Sequence, residues 1–223
     1  AFALAIIVES PVILLMSAAT ALVRDAQGYR ALWRFTLRLN MAITAVMLLL
    51  TVPVVWGGVA FVLGLGDAVA GLVHGALLWL LPWPAAIGDR RFHQGLLIRN
   101  GRTGSVATAT VVRVVVMVST ATALAAWSGL PGASIAGAAL SAGVVAEMLA
   151  VRVMVRPVLG PLRAAAKQLS PAVPVDLTQR AVWRFYLPLA LTSLIALATQ
   201  PVITFFMGQA PRSLESLAVL PVI

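Results

Sequence analysis

The chain has no cysteine, which excludes disulfides and thiolate-held metals and leaves the compartment open. Charge is scarce: 10% of the 223 residues are Asp, Glu, Lys or Arg, where a soluble domain carries about a quarter. So few charges cannot build a water-facing surface for a chain of this size. Acidic residues are the scarcest, seven against 16 Lys and Arg, for a formal net charge of +9. Such a balance can mark a nucleic-acid binder. Here the arginines sit between apolar runs, without an aromatic-and-basic surface, and the positive-inside rule accounts for them. The motifs of hydrolysis and nucleotide chemistry are missing as well: there is no HExxH, GxSxG or Walker lysine pattern. The "GLGDAVAG" stretch lacks the strand–helix context of a phosphate loop. Neither an enzyme nor a cofactor is expected. His74 and His93 fall on opposite sides of the membrane in this reading and cannot share a metal.

What is present is apolar. Hydrophobic residues make up 61% of the chain, and the mean hydropathy is +1.00. The lipid bilayer is therefore the expected surrounding. A crossing helix takes roughly 20 residues, so about six or seven crossings fit. Apolar runs at 1–23, 39–66, 68–88, 103–128, 133–155 and 185–208 read as six full spans, with the start of a seventh at 214–223. They are too long and too continuously apolar for barrel strands, so the fold class is an all-α polytopic bundle. The first residue is Ala1 and the last run stops at "LAVLPVI", which reads as an internal piece of a longer protein.

Every second connection is basic. The stretches 24–38, 89–102 and 156–184 carry most of the arginines, and the turns near Asp67, Gly129 and Gly208 carry little charge. The rule that cytoplasmic loops keep the positive charge puts the three basic stretches in the cytoplasm and the protein in the plasma (cytoplasmic) membrane. Within 156–184, prolines and basic residues suit a linker with one short interfacial helix at 162–169. Small residues at helical spacing (Gly71 and Gly75; Ala133, Gly137 and Ser141) suit close backbone approach. They are also simply common in membrane helices.

Ionisable residues inside spans are informative because each costs roughly 2.5–3.5 kcal/mol at mid-bilayer on insertion scales. Four qualify: Glu9, His74, Arg113 and Glu147. Glu9 shares a helical face with Ile13, Met16, Ser17, Thr20 and Arg24, and Arg113 with Thr110, Met117 and Thr120. Glu147 shares one with Ala136, Leu140 and Gly143. Arg113 and Glu147 fall at similar depth on consecutive antiparallel spans, so the two can meet as an ion pair or as part of a substrate or gating site. Pro11 kinks the helix beside Glu9 and frees a carbonyl, which suits a proton or cation site; a Glu hydrogen-bonded within the bundle is the plainer alternative. Pro53, Pro82, Pro84, Pro188 and Pro201 can break other spans. Gln200, with Thr192, Thr199 and Thr204, gives the sixth span a polar side fit for a cavity wall or for hydrogen bonds between helices.

The stretches "FHQGLLIRNGRTGSVATATVVRVVV" and "PGASIAGAALSAGVVAEMLAVR" resemble the multidrug and toxin extrusion and lipid-linked-oligosaccharide flippase superfamily. "RVVV" at Arg113 and "GASIAGAALSAGVVAE" at Glu147 are similar to its progressive-ankylosis-like branch. The resemblance implies a twelve-helix, two-lobe transporter of which this chain holds helices two to eight. Residues 1–160 would be most of the first lobe without its first helix, 161–182 the inter-lobe linker, and 183–223 the start of the second lobe, at "RAVWRFYLPLALTSL". It implies alternating access around a central cavity, with a proton or cation as coupling ion. The family's first helix is absent, and Gln200 stands where some relatives have an acid.

Two function classes follow. One is a secondary transporter exporting a small solute, such as an organic anion or a drug. The other is a membrane scaffold or assembly subunit, with its polar residues locked in dry packing. An integral-membrane enzyme is a distant third.

Overall fold

The computed structural model describes residues 1–168 and 179–208. Among the described residues ten helices follow one another, α1 (Phe2–Ile13), α2 (Leu15–Leu22), α3 (Ala26–Thr51), α4 (Pro53–Val62), α5 (Asp67–Trp79), α6 (Trp83–Arg99), α7 (Thr103–Trp127), α8 (Gly132–Met154), α9 (Arg156–Gln168) and α10 (Gln179–Gly208). Five stretches are long and apolar enough to cross a membrane, namely α1 with α2, α3, α7, α8 and the first part of α10. A sixth results if α5 and α6, bent by 42° at their junction, count as one.

The order of the spans matches the hydropathy reading, as do the boundaries of the first span, α7 and α8 to within a residue; the boundaries of the others do not. The stretch 24–38 is no loop. Its residues from Ala26 onward are the first half of α3, which Asp25 starts by accepting the Gly28 N–H at 2.7 Å. The expected span at 39–66 is split, since Pro53 has no N–H to continue α3 and instead sits at the first position of α4. Pro53 is thus a helix start, not a kink. The stretch expected as a basic loop at 89–102 is mostly α6. Thirteen of the seventeen α6 residues are buried, among them Asp89, Arg90, His93 and Gln94. The interfacial helix expected at 162–169 begins six residues earlier, at Arg156. The run at 214–223 lies outside the described residues.

α6 is the axis of the bundle. α1 and α2 run along one side of it, α3 crosses another and α8 lies on a third. Glycines set these close approaches. A Cβ on Gly95 would stand 2.4 Å from the Met16 carbonyl oxygen of α2, and one on Gly88 would overlap the Asn40 amide of α3. Small residues also join α5 to α8. A Cβ on Gly137 would stand 2.8 Å from the Ala76 carbonyl, and one on Gly75 would lie 3.2 Å from Ser134 Oγ. Gly71, expected in the same stripe, faces open space. α7 packs on the far side of α8, with only Ala109 buried. α10 lies against α1 and α3, where Phe35 meets both Trp183 and Tyr186 edge-on.

Of the three glycines in the left-handed region, two close a helix in the same way, Gly64 at φ +64° after α4 and Gly101 at φ +70° after α6. Beyond each, the chain turns back so that Leu65 N–H reaches the Ala60 carbonyl and Arg102 N–H the Leu97 carbonyl. This closes the helix by a Schellman pattern, which a side chain at the glycine would strain.

Breaks inside spans free backbone groups that lipid cannot satisfy. Each break here is met by a polar side chain. Pro11 removes the N–H that would reach the Ile7 carbonyl, and Ser10 Oγ donates to that carbonyl at 2.8 Å. The α1–α2 break at Leu14 releases the Ser10 and Pro11 carbonyls. Ser193 Oγ donates to the first at 3.1 Å and the Tyr186 hydroxyl to the second. At the α5–α6 break the Trp79 carbonyl accepts from Ser141 Oγ of α8 at 2.6 Å. At the end of α3 the Thr51 carbonyl accepts from His74 Nε2 at 2.9 Å.

Candidate functional site

α6 begins where Pro82 and Pro84 interrupt the preceding span, and it places alternating polar residues on two of its faces. Arg90 and Gln94, four residues apart, share the face toward α7 and α8. Asp89 and His93 share the face toward α3 and the end of α8.

The first face meets Glu147, whose side chain is 1% exposed. Arg90 Nη1 donates to Glu147 Oε2 in a short contact. Gln94 Nε2 donates to Oε1 at 3.1 Å, and Thr110 Oγ1 of α7 to the same oxygen at 3.3 Å. Arg113 Nη1 stands 3.8 Å from Oε2, with 31% of its side chain exposed. Three helices therefore converge on one carboxylate. Gly143 permits this approach, because its missing side chain lets the Arg113 backbone come within 3.0 Å of the Cβ position.

Glu9 sits on the α1 side of the same region. It is buried, and Trp83 Nε1 donates to its Oε2 in a short contact. It lies within Coulombic range of Arg90, Arg91 and Arg113. The half-buried Arg91 packs its guanidinium 3.9 Å from the Met16 sulfur. The cluster thus holds two carboxylates and three guanidiniums, one positive charge in excess. Not all of its hydrogen-bonding capacity is used. Arg90 Nε, Arg91 Nε and Gln94 Oε1 are buried with no partner among the described residues. Buried polar atoms of this kind are rare in a finished core and call for a reason.

The second face of α6 holds a separate pair. Arg152 Nε and Nη2 donate to Asp89 Oδ2 and Oδ1 at 2.8 and 2.9 Å, a two-pronged contact that matches the planar guanidinium to the carboxylate. His93 Nδ1 lies 2.9 Å from the Asp89 carbonyl and 3.2 Å from its Oδ2.

Of the residues singled out by sequence, Arg113 and Glu147 come together, and Glu9 lies in the same charge field. His74 does not. It caps the end of α3 and stacks on Trp56 with ring centroids 5.9 Å apart, away from the cluster. Gln200 and Pro201 fall on α10, but their side chains lie outside the described residues, so the cavity wall expected there is not described. Pro11 lies inside α1, three residues before the break. The residues that sequence reasoning missed are Arg90, Arg91 and Gln94, together with Asp89, His93 and Arg152. All but Arg152 sit in the stretch expected as a loop. The signal that could have found them is a spacing of four, with Asp89, His93 and Arg90, Gln94 forming two stripes.

The described residues contain no group of three or more His, Cys, Asp or Glu placed to hold a metal ion. No family model matches the chain, and no curated protein or solved structure matches it either.

Proposed function

We propose that the chain belongs to a multi-pass secondary transporter that moves a small organic anion across the plasma membrane by alternating access, with the cluster around Glu147 as part of the anion's path. The observation that supports this most is the composition of that cluster. Three arginines and two carboxylates are gathered between apolar helices with a net positive charge and unused donors on Arg90 and Arg91. Ionisable residues inside membrane helices are costly and commonly mark solute or ion pathways. An anion entering beside Arg113, the most exposed of the cluster's ion-paired groups, would compete with Glu147 for Arg90 and Arg113. Releasing those arginines from Glu147 would loosen the joint of α6, α7 and α8. Glu9, held by Trp83 on the other flank, is the group suited to carry a coupling proton or cation.

The resemblance to multidrug and toxin extrusion proteins fits this reading. It would imply a twelve-helix, two-lobe design, with 1–160 in the first lobe, 161–182 as linker and 183–223 in the second. The arginine-rich ends of the helices would then face the cytoplasm.

The test is flux. The complete protein in liposomes should move a labelled organic anion with saturable kinetics. Arg113→Gln should lower that flux about tenfold, the loss of one charge-assisted contact. Glu9→Gln should uncouple it from an imposed proton gradient. Absence of saturable flux from folded protein, across a panel of anions, contradicts the proposal.

One observation favours the scaffold reading: Glu9, His74 and Glu147 all have protein partners. A scaffold would show no flux in the same assay, while Arg90 and Glu147 variants would lose stability alone.

A further inference from the structure

A second cluster of charge lies outside the Glu147 region, at the end of the bundle where α9 crosses. Trp33, His93, Arg152, Arg156, Leu159 and Arg163 line a cleft of about 310 Å³ there. That size is at the small end of ligand pockets. Three features of the cleft point to one chemistry.

The first is charge. Arg152 is matched by Asp89 through two hydrogen bonds. Arg163 donates through Nε to the neutral Tyr29 hydroxyl at 3.1 Å, which leaves its charge unbalanced. Arg156 is exposed and has no ion-pair or hydrogen-bond partner among the described residues. The cleft thus presents two unbalanced guanidiniums, Arg156 and Arg163, on one side of α9.

The second feature is His93. Its ring is 1% exposed, and Nε2 has no partner among the described residues. Nδ1 faces only the Asp89 carbonyl and carboxylate, both acceptors, so Nδ1 carries a proton in either charge state. Nε2 is therefore the nitrogen left without a partner, on a residue that lines the cleft. A protonated ring needs an acceptor there, and a neutral ring needs an O–H donor. A phosphate ester supplies the first as a bare oxygen, and a monoester can also supply the second as a P–OH.

The third feature is the apolar part of the lining. Trp33 stacks nearly parallel on Tyr29, at 5° and 6.5 Å between centroids, and packs on Phe92 at 5.2 Å. Trp33 and, between the two arginines on α9, Leu159 give the cleft apolar lining suited to the carbon part of an ester.

We infer that the cleft between α3, α6, α8 and α9 is a binding site for a phosphate group, held by Arg156, Arg163 and His93 with Arg152 and Asp89 fixing the histidine's orientation. Two sources share this chemistry, a soluble phosphate ester and a phospholipid headgroup. Basic pockets at the ends of membrane helices are known places for the latter. The site is independent of the transport proposal, since none of its residues contacts Glu147.

The test uses the complete protein in detergent and in nanodiscs. In detergent, inorganic phosphate and glycerol phosphate are titrated against thermal stability. In nanodiscs, phosphatidylcholine alone is compared with phosphatidylcholine containing phosphatidylglycerol. Stabilisation by the soluble phosphates assigns the site to a free ester. Stabilisation only by phosphatidylglycerol assigns it to a headgroup. In either case R156Q/R163Q should weaken the apparent affinity by about tenfold or more, the loss of at least one charge-assisted contact. Both residues are exposed, so this variant keeps its fold. H93Q should weaken it as well with both arginines in place. R24Q/R102Q, in the neighbouring cleft lined by Arg24, Arg99 and Arg102, should leave it unchanged. No stabilisation by any phosphate probe, or equal affinity in wild type and R156Q/R163Q, overturns the proposal.

Discussion

α6 and α7 are neighbours in sequence and opposites in placement. α6 carries Asp89, Arg90, Arg91, His93, Gln94 and Arg99 in seventeen residues, yet thirteen of the seventeen are buried. α7 is an almost unbroken series of Val, Ala, Thr and Leu, with Arg113 its one charge, and buries only Ala109. In a water-soluble protein this arrangement would be inside out. In lipid it is economical, because tails are as apolar as leucine and give no force that drives apolar side chains inward. Polar groups are what must leave lipid, so the helix richest in them takes the centre. The difference between α6 and α7 is thus a statement about the solvent around the bundle.

Arg90→Ala should have the largest effect, because it leaves the Glu147 carboxylate buried without its closest partner. A loss of about 3–5 kcal/mol is expected for removing one member of a buried pair, read by unfolding in detergent. Arg90→Ala with Glu147→Ala should lose less than the two single losses added, since the residues share one network. On α7 the sharpest change is Val115→Arg, at a valine 57% exposed. If lipid surrounds that face, insertion should become worse by about 2.5–3.5 kcal/mol, read as the glycosylated or membrane-integrated fraction. In an aqueous setting the same change would be harmless.

Gly95→Ala should come next. Its new methyl meets the Met16 carbonyl oxygen at 2.4 Å and must push α2 off α6, at about 1–3 kcal/mol for overpacking. The smallest effect belongs to Val111→Ala on the exposed face of α7. It should stay within about 0.5 kcal/mol by the same unfolding measurement.

How far the sequence discloses all this depends on which signal each element carries. α7 and α8 are legible almost to the residue, because their apolar runs are bounded by "NGR" and "SGLPG". The meeting of Arg113 with Glu147 follows from equal depth on antiparallel helices. α6 is not legible by hydropathy. Averaging Asp89, two arginines and a histidine over a window gives the value of a loop, and only the spacing of four separates a buried polar helix from one. Arg90 was hidden for that reason, and with it the closest partner of Glu147. His74 shows the converse. An ionisable residue in an apolar run reads as a site, whereas its imidazole closes the end of α3 at Thr51. Which carbonyls a break will free, and which distant side chain will meet them, depends on tertiary packing that one chain of letters does not encode locally. Ser141 and Tyr186 belong to the same class.

The absence of natural cysteine allows the central claim, a buried polar α6 in a lipid-surrounded bundle, to be tested directly. Single cysteines are placed at Leu97, fully buried on α6, and at the exposed Arg102 just beyond it, and labelled with a membrane-impermeant maleimide from each side of native membranes. Arg102→Cys should be labelled rapidly from one side and Leu97→Cys protected from both. Labelling of Leu97→Cys as fast as Arg102→Cys would make the stretch an aqueous loop and contradict the placement of α6.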